Sequence, residues 1–192
     1  MDYRFFFGYA ATAIGLGSYG PYFWGIYKGQ IKPHGFTFFV WGVLTGIGFV
    51  AQLVSGGGPG SWLFVMYSVL CFIIAGIAFY QGHVKYVLFD WIALFGALLG
   101  IVLWWWTKNP LTAVILISLS DGIAFLPSIR KSYYFPNEES PGPWIWGIIS
   151  HTLAIFALIT LNLTTVLYPV CVIAFDISYV LLVVIRRRQL KG

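Results

Sequence analysis

The chain has 192 residues, of which 59% are hydrophobic and only 9% are charged. Because a water-soluble domain carries about 25% charged residues, this composition excludes an ordinary soluble globular protein. The formal net charge is +5, but the Lys and Arg residues stand in short clusters between apolar runs and not along one amphipathic face. Nucleic-acid binding is therefore not expected, and the composition indicates a polytopic membrane protein.

Seven apolar runs are long enough to cross a membrane, because a helix needs roughly 20 residues to span a hydrocarbon layer about 30 Å thick. Most breaks between the runs contain basic, glycine or proline residues, and the glycine-rich segment 55–61 is interpreted as a flexible turn. The break before the last run is short, so a tight hairpin is predicted at 162–165. In chain order the runs cover residues 5–27, 35–54, 62–80, 86–106, 110–129, 144–163 and 165–185.

The placement of Lys and Arg predicts the orientation of these spans, because cytoplasmic loops collect basic residues. With seven spans, nine of the eleven Lys and Arg residues fall on the side of the C-terminus, and only Arg4 and Lys108 fall on the other side. If the last two runs formed one span, the division would be five to six, and no orientation would be favoured. We therefore predict a multi-pass protein of the cell (inner) membrane, with the N-terminus outside and the C-terminus in the cytoplasm.

The first three and the last three runs form blocks of equal length, 5–80 and 110–185, which suggests an internal duplication. Both blocks start on the same side, so they would be parallel repeats related by an axis along the membrane normal. The predicted division is a first three-helix repeat at 1–83, a connector helix at 84–108, and a second three-helix repeat with a basic tail at 109–192. The features that recur in the same order are Pro21, Tyr27, Pro33 and Trp41–Gly42 in the first block and Pro127, Tyr133, Pro136 and Trp146–Gly147 in the second.

With this layout the chain resembles the SWEET and PQ-loop transporters, which share seven helices in a three-plus-one-plus-three plan and an outside N-terminus. Those families close the first helix of each repeat with a proline-glutamine pair, where this chain has Pro21–Tyr22 and Pro127–Ser128. The resemblance implies an all-α membrane transporter in which Pro21 and Pro127 act as hinges, although a proline can also produce a static kink. The segments 108–113 and 126–132 are also similar to uncharacterised bacterial membrane proteins, which implies no activity.

Four ionisable side chains lie inside the predicted spans, where a charge costs about 2.5–3.5 kcal/mol. Asp90 is four residues from the cytoplasmic start of its span and is expected to be solvated or paired with Lys85. His151, Asp121 and Asp176 lie seven, eight and nine residues from the cytoplasmic ends of theirs. They are therefore predicted to share one layer, about 10–14 Å from the cytoplasmic boundary.

In the first block, the counterpart of Asp176 by the same depth count is Cys71. The predicted layer is therefore asymmetric, with its ionisable groups in the second block. Cys71 and Cys171 both lie in apolar runs, so neither a disulfide nor a metal site is expected. Only one of the three histidines lies within a span, so no cofactor and no enzymatic activity are expected.

Two roles are open for this layer: a site coupled to protons or cations, or polar staples that bind neighbouring helices together. We predict a small-solute transporter working by alternating access, coupled to protons or another cation. Aromatic walls with carboxylates suit an uncharged polar or a cationic solute, since every Lys and Arg lies at a span end or in a loop. The residues predicted to bind the solute or ion are Asp121, Asp176, His151, Trp41 and Trp146.

Two further classes of function stay open as alternatives. One is a seven-helix receptor, sensor or scaffold without transport, and the other is an ion channel lined by the same aspartates. The expected partners are a small-molecule solute and membrane lipid, with a homo-oligomer left open and nucleic acid excluded.

Cysteine labelling of the two termini in intact cells tests the predicted orientation. In a background with Cys71 and Cys171 replaced by Ser, a cysteine before Tyr3 should react with a membrane-impermeant thiol reagent. A cysteine after Gly192 should react only once the membrane is opened, because the basic clusters hold that end in the cytoplasm. Reactivity of the C-terminal cysteine from outside contradicts the orientation and the parallel repeat.

Overall fold

The computed structural model of the chain describes residues 2–82, 88–138 and 141–190. Within these ranges the backbone is helical and contains no strand, so the predicted all-α class is confirmed. Two short 3₁₀ turns, Gly58–Ser61 and Pro136–Glu138, supplement the α-helices. The α-helices of the described ranges are α1 Tyr3–Ser18, α2 Gly20–Tyr27, α3 Gly35–Val54, α4 Trp62–Tyr80, α5 Leu88–Thr107, α6 Pro110–Tyr134, α7 Gly142–Phe156 and α8 Leu163–Gln189.

Five helical segments are long and apolar enough to span a membrane: α3, α4 with its preceding 3₁₀ turn, α5, α6 and α8. Together they indicate a multi-pass membrane protein. The bounds of α3 and α4 coincide with the predicted spans 35–54 and 62–80. The predicted start of the fourth span, Tyr86, and the predicted partner Lys85 lie outside the described residues.

The first predicted span is a broken helix, because α1 ends at Ser18 and α2 begins at Gly20. Pro21 stands at the start of α2, where its missing N–H is tolerated, but it could not continue the hydrogen-bond ladder of α1. Pro127, which the sequence places in the equivalent position, lies inside the uninterrupted α6. The two prolines therefore differ in local structure: a break accompanies Pro21 and not Pro127.

The reversal before the last helix occupies residues 157–162, slightly earlier than the predicted hairpin at 162–165. Asn162 caps α8, since its side chain accepts a hydrogen bond from the Thr165 N–H at 3.0 Å. The Thr165 hydroxyl in turn accepts the Asn162 N–H at 3.1 Å. This reciprocal cap begins the helix at Leu163 and ends the loop there.

The helices form two triplets with the same internal order. In the first triplet, α4 packs against both α3 and α1, and in the second, α8 packs against both α6 and α7. In each case the third helix in sequence lies between the other two, since α1 does not approach α3 and α6 does not approach α7 among the described residues. The triplets meet through α1 with α7 and through α3 with α6, while α5 packs chiefly on α6.

One end of the bundle, called here the glycine end, carries the segment 55–61. The prediction that this segment is a flexible turn is wrong, because Pro59, Gly60 and Ser61 are buried. Glycine lets backbones approach closely here: a Cβ on Gly60 would lie 2.7 Å from the Ala154 carbonyl oxygen. The segment is therefore packed between helices and not free in solvent.

The opposite end, called here the basic end, is stabilised by the C-terminal arginines of α8. Arg186 Nε donates to the Tyr133 carbonyl at 3.1 Å, and its guanidinium lies 4.1 Å from the centroid of the Tyr133 ring. Arg187 Nε donates to the Pro136 carbonyl at 2.9 Å. These cations satisfy carbonyls at the C-terminal end of α6 and in the 3₁₀ turn that follows it, consistent with the preference of such groups for basic side chains.

Asp90 is buried in the first turn of α5 and is not solvated. Its carboxylate accepts a hydrogen bond from the Thr37 hydroxyl of α3 at 2.7 Å. The aspartate is therefore a polar link between α5 and the first triplet, placed where the N-terminus of a helix favours a negative charge.

Replacing Thr37 by Val removes this donor with little change of shape and leaves the buried carboxylate without its hydroxyl donor. The free energy of unfolding should fall by about 1–2 kcal/mol, the order that hydrogen bonds between membrane helices contribute. Thermal unfolding in detergent, followed by circular dichroism, measures the change. Thr152→Val is the matched control, because the Thr152 hydroxyl bonds to the Ile148 carbonyl of its own helix. Equal stability of the two variants contradicts the assigned link.

Candidate functional site

Asp121 of α6 lies where the two triplets meet and is only partly buried. Two hydrogen-bond donors approach its carboxyl group, the Tyr168 hydroxyl of α8 and the Trp41 indole of α3. Trp41 packs against two apolar clusters, one within the first triplet and one formed mainly by α3, α5 and α6, and Tyr168 is 2% exposed. Both donors are therefore fixed by packing, so the carboxyl group of Asp121 is held in a prepared polar environment.

Asp176 of α8 lies close enough to Asp121 for the two carboxyl groups to interact electrostatically. Its side chain is only 5% exposed. It rests on the backbone of Gly147 in α7, where a Cβ would lie 2.5 Å from Asp176 Oδ2. No hydrogen-bond donor reaches its carboxyl group within the part of the chain that the structure describes. Asp176 is thus a buried acid that receives no hydrogen bond from a described residue.

Gly147 links this acid to two neighbouring side chains of α7. Its carbonyl accepts hydrogen bonds from Ser150 Oγ at 3.0 Å and from His151 Nδ1 at 2.9 Å. Because a carbonyl can only accept, the Nδ1 atom of His151 carries the proton in this arrangement. The His151 ring stacks on Tyr67 with centroids 5.4 Å apart, so it is held by packing beside the acids without bonding to either.

The first triplet contributes uncharged groups to the same region. The Tyr19 side chain, at the break between α1 and α2, lies beside the Cys71 thiol of α4. Cys71 in turn lies near enough to Asp121 to interact with it electrostatically. One turn away on α4, the Tyr67 hydroxyl bonds to Ser150 Oγ across the triplet boundary at 3.0 Å. We call the set the central polar cluster: Tyr19, Trp41, Tyr67, Cys71, Asp121, Gly147, Ser150, His151, Tyr168 and Asp176.

The structure brings together three of the residues that the sequence singles out, Asp121, Asp176 and Trp41, with His151 beside them. Trp146 is not among them, because it is 50% exposed. Successive residues of a helix point about 100° apart, so with Gly147 facing Asp176 its neighbour faces away. Pro127 lies six residues beyond Asp121, about 9 Å along α6, and does not belong to the cluster.

Sequence reasoning missed the three tyrosines of the cluster, although a spacing signal was present. Tyr168 and Asp176 are eight residues apart, and Tyr67 and Cys71 are four apart, so each pair lies on one face of its helix. Tyr19 gives no such signal, because it lies at a helix break that depends on Pro21.

The chemistry of the cluster is that of two acids accompanied by one imidazole, that of His151, and by no Lys or Arg among the described residues. In the sequence, Lys and Arg occur only near the ends of the helices or between them. The surrounding aromatic rings and hydroxyl groups can contact a cation or bond to a neutral polar molecule, but they cannot neutralise a second negative charge. The cluster can therefore hold protons, a cation or a polar solute, and it disfavours an anion.

Two apolar grooves of the described surface, of about 440 and 620 Å³, lie away from this cluster. The first runs between α1 and α4 and includes Tyr9, Trp62 and Met66, and the second includes Phe36 and Trp91. Their apolar linings match hydrocarbon chains better than a polar solute. Comparison of the chain with protein-family models, curated proteins and solved structures found no match.

Replacing Gly147 by Ala should displace the Asp176 carboxylate, because the added Cβ would overlap Oδ2. We expect a loss of about 1–3 kcal/mol in the free energy of unfolding, the usual cost of overpacking. Gly76→Ala on α4 is the matched control, since a Cβ there meets nothing within 4 Å and alanine favours a helix. Thermal unfolding in detergent distinguishes the two. A Gly147→Ala variant as stable as Gly76→Ala would show that Asp176 does not rest on this glycine.

Proposed function

We propose that the protein is a small-solute transporter of the cell membrane that works by alternating access between its two triplets. Transport is coupled to protons or another cation. The observation that carries the proposal is the meeting of Asp121 and Asp176 in a cluster to which the α1–α2 junction, α3, α4, α6, α7 and α8 all contribute. Acids inside a membrane bundle are costly and commonly mark ion or substrate pathways.

The order of helices supports a repeat with parallel halves. The first helix of each triplet packs against the second helix of the other, α1 against α7 and α6 against α3. Exchange of the two triplets leaves this pattern unchanged, as a twofold axis along the membrane normal requires. In this interpretation α1 and α2 form the first of seven spans, α7 forms the sixth, and α5 connects the repeats. Rocking of one triplet against the other would open the central polar cluster to each side in turn.

The two acids have different surroundings, which suggests a division of roles. Asp121 is partly accessible and has two donors, so it can stay charged while facing a solute. Asp176 is 5% exposed and has no donor among the described residues, so a charge there is unfavourable unless something compensates it. We therefore assign Asp176 as the group that takes up and releases the coupling proton or cation, and Asp121 as the group that faces the solute.

The solute class follows from the side chains around Asp121. Trp41 and Tyr168 offer aromatic surface and donors, and Tyr19 and Tyr67 offer further hydroxyl groups nearby. This set matches an uncharged polar or a cationic solute. An anion would meet two carboxyl groups and, among the described residues, no Lys or Arg.

The break between α1 and α2 supplies a joint at the level of the cluster, on the side of the basic end. Tyr19 lies beside Cys71 at that joint, so movement of α2 would alter the cluster directly. Because α6 is continuous through Pro127, we assign the hinge to Pro21 and propose only bending at Pro127.

Proton movement in proteoliposomes tests the proposal. Purified protein is reconstituted around a pH-sensitive dye, and gradients of neutral polar solutes and of organic cations are applied in separate arms. One of the two classes should drive a proton flux that Asp176→Asn abolishes, because asparagine keeps the shape but cannot titrate. Asp121→Asn should reduce solute movement as well.

Asp90→Asn is the matched control, because Asp90 is an equally buried acid outside the cluster and should leave the flux near wild type. Size-exclusion chromatography and circular dichroism confirm that each variant is folded. If both cluster variants retain wild-type flux, the acids are structural links between helices, and coupled transport through them is disproved.

A further inference from the structure

A buried hydrogen bond joins the two triplets near the glycine end. Pro169 inside α8 has no N–H, so the carbonyl of Thr165, four residues earlier, has no donor within its own helix. Gln52 of α3 supplies one, since its Nε2 atom donates to the Thr165 carbonyl at 2.7 Å. Gln52 is 1% exposed and Thr165 is fully buried. A glutamine of one triplet thus completes a proline-broken ladder in the other.

This bond is incompletely compensated. Gln52 Oε1 is buried and has no hydrogen-bond partner within the part of the chain that the structure describes. An unpaired buried amide oxygen is unfavourable and offsets part of what the Thr165 bond contributes. The net contribution of the Gln52–Thr165 hydrogen bond to stability is therefore small. Such a bond can break and re-form while the protein stays folded.

Two backbone hydrogen bonds lie beside it and also cross between the triplets. The Ile159 N–H donates to the Gly57 carbonyl at 3.1 Å, and the Thr160 N–H donates to the Gly56 carbonyl at 3.2 Å. Gly56 has a φ of +79°, which side-chain-bearing residues rarely adopt, and a Cβ there would also lie 2.8 Å from Thr160 Oγ1. Glycine is therefore needed for this pairing of the two loops.

The seam between α1 and α7 is filled at the same end. A Cβ on Gly8 of α1 would lie 2.8 Å from the Cβ of Pro59, so helix and turn touch without a gap. Gly60 is equally close to the Ala154 carbonyl of α7. The buried turn thus closes the space between the triplets above the central polar cluster.

The basic end lacks a comparable closure in the described residues. There, α2 does not closely approach α6, α7 or α8. The hydrogen bonds that join the triplets between described residues lie at the cluster or nearer to the glycine end. Among the described residues, no direct hydrogen bond between the triplets therefore lies at the basic end, where α5 and its Asp90–Thr37 bond connect them indirectly.

We infer that the Gln52–Thr165 bond and the paired loops at 56–57 and 159–160 form a gate, held closed in this structure, between the central polar cluster and the glycine end. The inference rests on the proposed alternating access and identifies the contacts that must break when that end opens. Pro169 provides the acceptor, Gln52 provides the donor, and the glycines let the loops meet. Opening would leave the Thr165 carbonyl and Gln52 free to bind water.

The reactivity of Cys71 tests the gate without knowledge of the solute. Cys71 is a native thiol of the cluster and is 3% exposed, and Cys171 is replaced by Ser throughout. A charged, membrane-impermeant methanethiosulfonate is added to proteoliposomes, and a parallel Lys108→Cys preparation measures the fraction of molecules whose glycine end faces the bulk. Gln52→Leu should raise the rate of Cys71 labelling from that face by about fivefold, the population shift that one net hydrogen bond provides.

Pro169→Ala gives an independent test, because it restores the N–H that competes for the Thr165 carbonyl while it repairs α8. The Cys71 labelling rate of Pro169→Ala should also rise, although this change stabilises α8. The variant therefore tests the gate even if Gln52→Leu folds poorly. The double variant should not exceed the faster single variant, since both changes act on one bond. Gln81→Leu, at an exposed glutamine of the basic end, is the matched control and should label at the wild-type rate.

Wild-type labelling rates in folded Gln52→Leu and Pro169→Ala disprove the gate. If Cys71 still reacts from the basic end in those variants, alternating access survives and only the assignment of the gate fails. If Cys71 reacts from neither end in any variant, the cluster is not on an aqueous pathway, and both the gate and the proposed transport are overturned.

Discussion

Two acids in an apolar bundle, with no Lys or Arg beside them among the described residues, are the constraint on which the arrangement depends. A carboxylate in hydrocarbon is costly unless it is hydrogen-bonded, paired or neutralised. The fold meets this cost for Asp121 with donors from Trp41 and Tyr168, and it leaves Asp176 against the backbone of Gly147 with no donor among the described residues. The protein thus provides donors for one acid, and we propose that a proton or cation from outside it neutralises the other.

The same kind of hydrogen bond joins the triplets at the central polar cluster and at the glycine end. In both places a polar side chain of the first triplet reaches a polar group in the second, across helices that glycine allows to approach closely. Tyr67 bonds to Ser150 beside Gly147, and Gln52 bonds to the carbonyl that Pro169 leaves free. A few such bonds in an otherwise apolar seam hold the halves in register. In the proposed alternating access, the halves would separate at one end without unfolding the bundle, because these bonds are few.

Composition and hydropathy were sufficient to predict an all-α membrane protein and the bounds of α3 and α4, because polar or glycine-rich breaks flank those runs. Counting depth along each span also predicted that Asp121 and Asp176 share one layer, but it could not predict that they face each other. The direction in which a side chain points from its helix could not be predicted in this way. Trp146 was therefore predicted to lie in the site, whereas the structure places its neighbour Gly147 against Asp176. The packing of segment 55–61 was not predicted, because glycine is favoured both in flexible turns and where two backbones approach closely. The count of seven spans, the repeat and the orientation stay predictions.

The most direct test of the central claim is an infrared measurement of the carboxyl groups in reconstituted membranes. Spectra recorded across a pH series, in light and in heavy water, report whether a protonated carboxyl group titrates and exchanges with solvent. If Asp176 takes up protons inside the bundle, a titrating carboxyl band will shift in heavy water and will be absent from Asp176→Asn but present in Asp90→Asn. A wild-type spectrum with no titrating band assignable to Asp176, or with one that never exchanges, would contradict the account.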